Sequence, residues 1–317
     1  MTEHQVTLPS GIESVVCNLC GGSQAEELYR CKDYRFEIDD YEWPVVRCRQ
    51  CGLSYLNPRP TEEAIGRYYP ATFYEGRERQ RLAERYHVQA QYLDALAPGR
   101  LLDVGCANGD WMKLMAERGW SVAGIEPSPN AKNPYEMDIR HGGFPEGADW
   151  PKSSFDVITA WAVFEHLHDP KRAFECASEL LRPGGRLITL VTNINSLFSR
   201  FSYREDVPRH LYFFSEKTLA RYADAVSMRL LEVAHDTRLY GGAGRGALGA
   251  QIWRRLGKPL GGYFKHQRLP LMQRLQNEPL LGPLMLAVSA TERVVLSDFA
   301  ARTLRVNGHI VAIFQKL

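Results

Sequence analysis

Two groups of residues in this chain have types and spacings that chemistry can use. In LLDVGCANGDW, residues 101–111, an apolar run ends on Asp103, and Gly105 and Gly109 bracket a turn before a helical pattern. Glycine tolerates backbone conformations that a side chain resists, so a ligand can lie against bare backbone there. The next apolar segment, SVAGIE, delivers Glu126. A carboxylate can accept two hydrogen bonds from a ribose diol. Strand, glycine loop, helix, strand and acid form an arrangement for a nucleoside. A glycine turn also occurs as a plain structural turn. The spacing here differs from the GxGxxG that seats a pyrophosphate on a helix N-terminus.

The second group is Cys17-Asn-Leu-Cys20 and Cys48-Arg-Gln-Cys51, with 27 residues between the pairs. Each pair presents two thiolates from a tight turn, and together they make the tetrahedral sulfur set that zinc prefers. Four protein ligands leave no open position, so such a zinc is structural. A redox pair is the alternative, but it usually sits in a βαβ context that is missing here. Cys31 reads as a spare thiol and Cys176 as a core position in a helix. With seven cysteines and four of them paired this way, the chain suits a reducing, cytoplasmic compartment better than a disulfide framework.

The elements that position these groups follow from the pattern. Strands are expected at 101–105, 121–126, about 136–141, 155–161, 186–192 and 229–238, with helices between them. Asp169-Pro170 is a helix start, because the carboxylate caps free amides and proline fits the first turn. Ser215 caps a further helix to about Ala225. This alternation predicts an α/β fold with a mostly parallel sheet covered on both faces. A final strand, GHIVAIFQKL, follows a long excursion and fits as an antiparallel partner of strand 229–238. The division expected is an irregular zinc ribbon at 1–60, a helical lid or linker at 61–97, a core at 98–239 plus 301–317, and a helical insertion at 240–300. The insertion carries eight Lys/Arg against three Asp/Glu and an apolar helix near 280–296. Over 317 residues the net charge is +2, and 44% of residues are hydrophobic. Whole-chain charge therefore points to no particular partner, and no transmembrane segment is read. The polar N-terminus lacks the apolar run of a signal peptide.

The motifs DVGCANG, GIEPSP, FDVITAWAVFEHLHDP and LRPGGRLITL, in this order, resemble those of class I S-adenosylmethionine-dependent methyltransferases. The resemblance covers roughly residues 100–239 plus the last strand. It implies a seven-stranded Rossmann-like sheet whose last strand is antiparallel. It also implies that Asp103, Gly105, Cys106 and Gly109 contact the methionine part, that Glu126 takes the ribose hydroxyls, and that Trp161 and Ala162 line the floor. Many relatives place an acid after the third strand near the adenine amine. Here HGGFPEGAD offers none cleanly, and Phe144 is expected to stack on the adenine instead. The ribbon, followed by YLNPRPTEEAIGRYYP, resembles a bacterial subgroup that includes sugar C-methyltransferases and relatives in polysaccharide and natural-product assembly. In that subgroup tyrosines after the ribbon close over the cofactor, which points to Tyr69 and Tyr74. Packing of a short amphipathic helix is the alternative role for both.

Methyl transfer from a sulfonium needs alignment, exclusion of water and a base when the acceptor is neutral. Two histidines fall near the C-terminal ends of strands, where open α/β sheets bind ligands. His210, in DVPRHLYFFS, is expected to be the general base, and His166, in FEHLHDP, to support the acceptor. His166 could instead simply hydrogen-bond a loop backbone. His168 reads as a solvated loop residue. The resembling sugar enzymes carry a Glu-His pair where this chain has Arg209-His210. An arginine there could clamp a phosphate or carboxylate, and the departure leaves O- and N-methylation open. The expected function is methyl transfer to a small-molecule acceptor such as a sugar, a phosphate-bearing nucleotide-sugar or a natural-product intermediate. The insertion would serve as substrate lid or homodimer surface. Two other classes compete: an RNA methyltransferase whose ribbon grips nucleic acid, and a non-catalytic cofactor-binding scaffold. Near-balanced charge over the chain, with no strongly basic face evident in residues 1–60, argues against nucleic acid.

Overall fold

The structure, a computed structural model, describes residues 8–70, 79–196, 199, 206–239, 247–257, 271–279, 281–295 and 303–317. The N-terminal segment, expected to be irregular, is built from short strands. β1 (Ile12–Glu13) pairs with β5 (Arg59–Pro60), and β2 (Ala25–Cys31), β3 (Trp43–Cys48) and β4 (Ser54–Leu56) form an antiparallel sheet. Strands this short, interrupted by cysteine turns, carry too few alternations for a period of two to stand out. What holds them is burial: Trp43, Val45, Leu53 and Leu56 are fully enclosed.

After α1 (Arg79–Gln91) the chain alternates as the sequence predicts. The elements are β6 (Arg100–Val104), α2 (Asp110–Glu117), β7 (Ser121–Glu126), β8 (Ile139–His141), β9 (Phe155–Trp161), α3 (Pro170–Leu180), β10 (Leu181–Thr192), β11 (Tyr212–Phe213), α4 (Glu216–Ala225) and β12 (Met228–Ala234). β13 (His309–Lys316) closes the chain. Seven strands form one sheet in the order β12-β13-β10-β9-β6-β7-β8. β13 runs antiparallel to both β10 and β12, while the pairs from β10 to β8 are parallel. Leu101–Val104 and Val157–Ala160 are buried without alternation, as strands covered on both faces must be. Both expected caps form. Asp169 accepts from the Arg172 amide at 3.0 Å, and Ser215 makes a capping box with Thr218.

β11 does not belong to the large sheet. It pairs with β4, so the ribbon sheet reads β11-β4-β3-β2 and takes its fourth strand from the segment next to His210. One apolar cluster runs from Cys17, Cys48 and Tyr55 through Phe164 and Phe174 to Phe314. The ribbon and the strand-helix core are packed as one body. Within the helical excursion, α5 (Ala247–Arg255), α6 (Leu271–Asn277) and α7 (Leu281–Val295) are described, and Trp253, Met285 and Val288 pack near Tyr34 of the ribbon. α7 coincides with the expected apolar helix. No described helix is long and apolar enough to cross a membrane.

Candidate functional site

β6 runs into the glycine turn at Gly105, whose φ is +72°. A Cβ there would stand 2.7 Å from Val163 Cγ2. Any side chain would meet both strain and a clash, so the position keeps the backbone bare. Gly109 (φ +79°) is the N-cap of α2. Between them, the Ala107 amide donates to Glu126 Oε2 at 2.9 Å, and the Ser128 amide donates to Oε1 at 2.9 Å. Glu126 thus anchors the turn while each of its oxygens keeps capacity for another donor. Cys106 is buried against Gly124, where a Cβ would lie 2.6 Å from its sulfur. Burial pushes its thiol well up, which suits the packing role expected of it rather than a nucleophile.

Asp103 is buried at the end of β6 and accepts from Thr159 Oγ1 at 2.7 Å. Burial, with the nearby charge of Glu126 adding, pushes its carboxyl up to about 7. A buried acid held this high is ready for a cationic partner. A bare glycine turn, an acid suited to an ammonium and a carboxylate with capacity for hydroxyl donors together fit an amino-acid-bearing nucleoside such as S-adenosylmethionine. Trp161 is half-buried, its ring 5.7 Å from Trp111 and 6.2 Å from Tyr92. Ala162 follows with a φ of +59°. Phe144 lies 5% exposed and stacked on Phe164, so its ring is largely committed to the core rather than free for adenine. Tyr74 lies outside the described residues.

The four ribbon thiols converge. Cys17 Sγ lies 3.4 Å from Cys51 Sγ, and Cys20 Sγ lies 3.6 Å from Cys48 Sγ. Zinc–sulfur bonds of about 2.3 Å in a tetrahedron put neighbouring sulfurs about 3.8 Å apart. The cluster fits a zinc ribbon. Cys31 stands apart from it, its sulfur facing the Trp43 carbonyl, and Cys176 is buried in α3.

The histidines meet at the opposite end of β11 from the ribbon knuckles. The His166 and His210 rings are 4.6 Å apart, edge to face. His166 Nδ1 is 3.0 Å from the Arg209 carbonyl and 3.0 Å from the Tyr69 hydroxyl. A carbonyl can only accept, so Nδ1 carries the proton and Nε2 presents its lone pair. Burial depresses both imidazoles, His166 to about 4 and His210 well below its ordinary value, and the neighbouring His166 adds to the depression of His210. Both rings are neutral at pH 7. Asp206, whose carboxyl is held below the usual range against its burial by neighbouring cations, Arg35 and Arg209 among them, lies 3.9 Å from His210 Nε2. His309 begins β13, in register with Thr192 at the end of β10. The edge that carries Glu126, Trp161 and Thr192 therefore also gathers His166, His210 and His309.

Two sequence-level expectations change. Arg209 is fully buried: Nη2 and Nη1 donate to Asp33 at 2.8 and 3.1 Å, and Nη1 also donates to the Tyr68 carbonyl at 3.1 Å. It locks the His210 segment to the ribbon and is not placed to clamp an acceptor. His168 is not a solvated loop residue. Its Nε2 is 3.1 Å from the Pro60 carbonyl, and its own carbonyl accepts from Arg59 and Tyr212. Sequence reasoning missed Asn18, the residue after Cys17. Its side chain joins Asp169, the Lys171 amide and Tyr222 at 2.8, 2.9 and 2.9 Å. It also passed over Glu165, whose only signal was its place beside His166.

A family model described as a methyltransferase domain matches residues 74–233, about half of the chain. This chain belongs to that family. It carries a methyltransferase domain. Among curated relatives, this methyltransferase is 28% identical over 156 residues to a ubiquinone biosynthesis O-methyltransferase of Idiomarina loihiensis, covering 43% of this chain and 64% of that protein. It is 36% identical over 115 residues to the enzyme of the same name from Alkalilimnicola ehrlichii, covering 33% and 47%. The match thus spans less than two thirds of either relative. A solved methyltransferase from Archaeoglobus fulgidus is similar in fold, with a TM-score of 0.48 and 13% identity over 74% of this chain and 94% of that one.

Proposed function

We propose that this methyltransferase methylates a hydroxyl of a small-molecule acceptor in the cytosol, with His210 as general base and His166 positioning the acceptor. The acceptor class favoured is a sugar, nucleotide-sugar or natural-product intermediate. The relatives' names favour oxygen as the methylated atom. The observation that carries the reading is the pair of neutral imidazoles on the sheet edge that also holds Glu126. A neutral ring can take a proton; a charged one cannot.

Asp103 is assigned to the ammonium of the bound cofactor and Glu126 to its ribose hydroxyls. Gly105, Cys106 and Gly109 are assigned to the turn that receives the methionine part, with Trp161 and Ala162 beneath and Tyr69 closing from the ribbon side. The bound cofactor supplies an activated methyl group. His210 accepts the acceptor's proton as the methyl is delivered, and His166, fixed by its Nδ1 bond to the Arg209 carbonyl, offers Nε2 to a neighbouring hydroxyl of the acceptor. Cys17, Cys20, Cys48 and Cys51 would hold a structural zinc. The helical insertion, with its basic excess, would cover a phosphate-bearing acceptor.

The test is transfer of labelled methyl groups to a panel of nucleoside-diphosphate hexoses and simple phenols. His210→Ala should lower turnover about 10²-fold or more while cofactor affinity stays within twofold. Turnover like the wild type in that variant would remove the base assignment.

A further inference from the structure

We propose that Glu165 is the proton store behind His210: a buried carboxylate that receives, through the imidazole, the proton released by the acceptor. The proposal rests on His210 being the base. Glu165 sits in the short 3-10 helix Phe164–His166 and is fully buried. Neither of its carboxyl oxygens has a hydrogen-bond partner among the described residues. A buried polar group left unmet costs stability, so its presence asks for a reason.

The geometry supplies one. A Glu165 oxygen lies within 4.8 Å of ring nitrogens of both His166 and His210. One water spans that distance. The backbone fixes the arrangement from both sides: the Leu211 amide donates to the Glu165 carbonyl at 2.7 Å, and His166 Nδ1 donates to the Arg209 carbonyl at 3.0 Å. The charged and titratable groups around the cluster are Asp206 and Arg209 on the His210 segment, Arg35 from the ribbon, His309 on β13, and Tyr69. Burial, with Asp206 adding to it, pushes the Glu165 carboxyl up to about 8, while burial pushes both imidazoles down. A shared proton therefore rests on the carboxyl and not on the rings, and the group titrates as a unit.

The proton path balances. The acceptor O–H bond breaks as an N–H bond forms on His210. That N–H bond breaks as an O–H bond forms on the Glu165 carboxylate. The proton passes to water after the product leaves. The reactive form is ionised Glu165 with neutral His210, and it is populated as pH rises through about 8.

Infrared titration of the whole zinc-loaded protein tests this without an acceptor. Besides the band of Asp103, which vanishes with a midpoint near 7, the wild type should show a second protonated-carboxyl band at pH 6 that vanishes with a midpoint near 8 and is missing from Glu165→Gln. With 15N-labelled histidine, the His210 ring signals should move across the same midpoint in the wild type and stay fixed in Glu165→Gln. Titration with S-adenosylhomocysteine, unchanged within twofold, shows that the variant is folded. In the labelled-methyl assay, Glu165→Gln should lose the alkaline rise in kcat/KM and fall about 10²-fold at its top. A missing band, His210 signals indifferent to Glu165, or a second metal equivalent lost in Glu165→Gln would each overturn the proposal. If the band is missing while His210→Ala is inactive, the store alone fails. If His210→Ala turns over normally, the base assignment fails.

Discussion

Asp33→Ala should weaken the link between the ribbon and the segment that carries His210. Asp33 and Arg209 form an ion pair with 0% side-chain exposure on both partners. Removing one partner of a buried pair leaves an uncompensated charge and costs about 3–5 kcal/mol. Two neighbours soften the loss: Asp206 lies 3.8 Å from Arg209 Nε, and the Tyr68 carbonyl still accepts from Nη1. The lower end, about 3 kcal/mol, is therefore expected, a shift of roughly 10²-fold in the unfolding equilibrium. Urea denaturation of the zinc-loaded protein measures it. Asp33→Ala with Arg209→Met should recover much of the loss, because no buried charge then stands alone. Since the Arg209 carbonyl also holds His166, methyl transfer should fall in Asp33→Ala below denaturing conditions while cofactor affinity holds. A destabilisation under 1 kcal/mol, or a double variant no better than the single one, would refute the reasoning.

Stripping metal from the ribbon should lower the thermal midpoint of the whole protein, because Cys17, Cys48 and Cys51 pack in the same apolar cluster as Phe164 and Phe314. An unchanged midpoint in protein shown by metal analysis to be zinc-free would count against a structural zinc. Asp103 gives a pH prediction. Its folded carboxyl stands at about 7 and an unfolded aspartate at about 3.9, so between those values the native state holds a proton that the unfolded state lacks. Stability without cofactor should therefore fall as pH rises across that window, and Asp103→Asn should flatten the fall while weakening cofactor binding at least tenfold. Parallel urea midpoints at pH 5 and pH 8 check the first part.

The strand-helix core was legible because its signals are redundant. Buried parallel strands make solid apolar runs, and Asp169 and Ser215 mark helix starts by their own side-chain chemistry. Cys17, Cys20, Cys48 and Cys51 declared themselves by spacing. What stayed hidden depends on contacts between residues far apart in the chain. β11 is two residues long and finds its partner in β4, more than 150 positions earlier. Arg209 reads as a clamp for a phosphate or carboxylate until Asp33, 176 positions away, is seen beside it. The same distance problem hid Asn18 and made His168 look solvated. Glu165 was overlooked for a different reason: in a helical turn beside two histidines an acid looks soluble, and only its complete burial makes it unusual.

Binding of S-adenosylhomocysteine to three proteins, measured by calorimetry, probes the assignment of the two halves of the site most directly. Wild type should bind with a single site per chain. His210→Ala should bind within twofold of it. Glu126→Ala should bind at least tenfold more weakly, because it removes the acceptor proposed for the ribose hydroxyls and also frees the Ala107 and Ser128 amides that shape the turn. Full-strength binding by Glu126→Ala, or loss of binding in His210→Ala, would contradict the placement of the cofactor on the glycine turn and of the acceptor chemistry at the histidines.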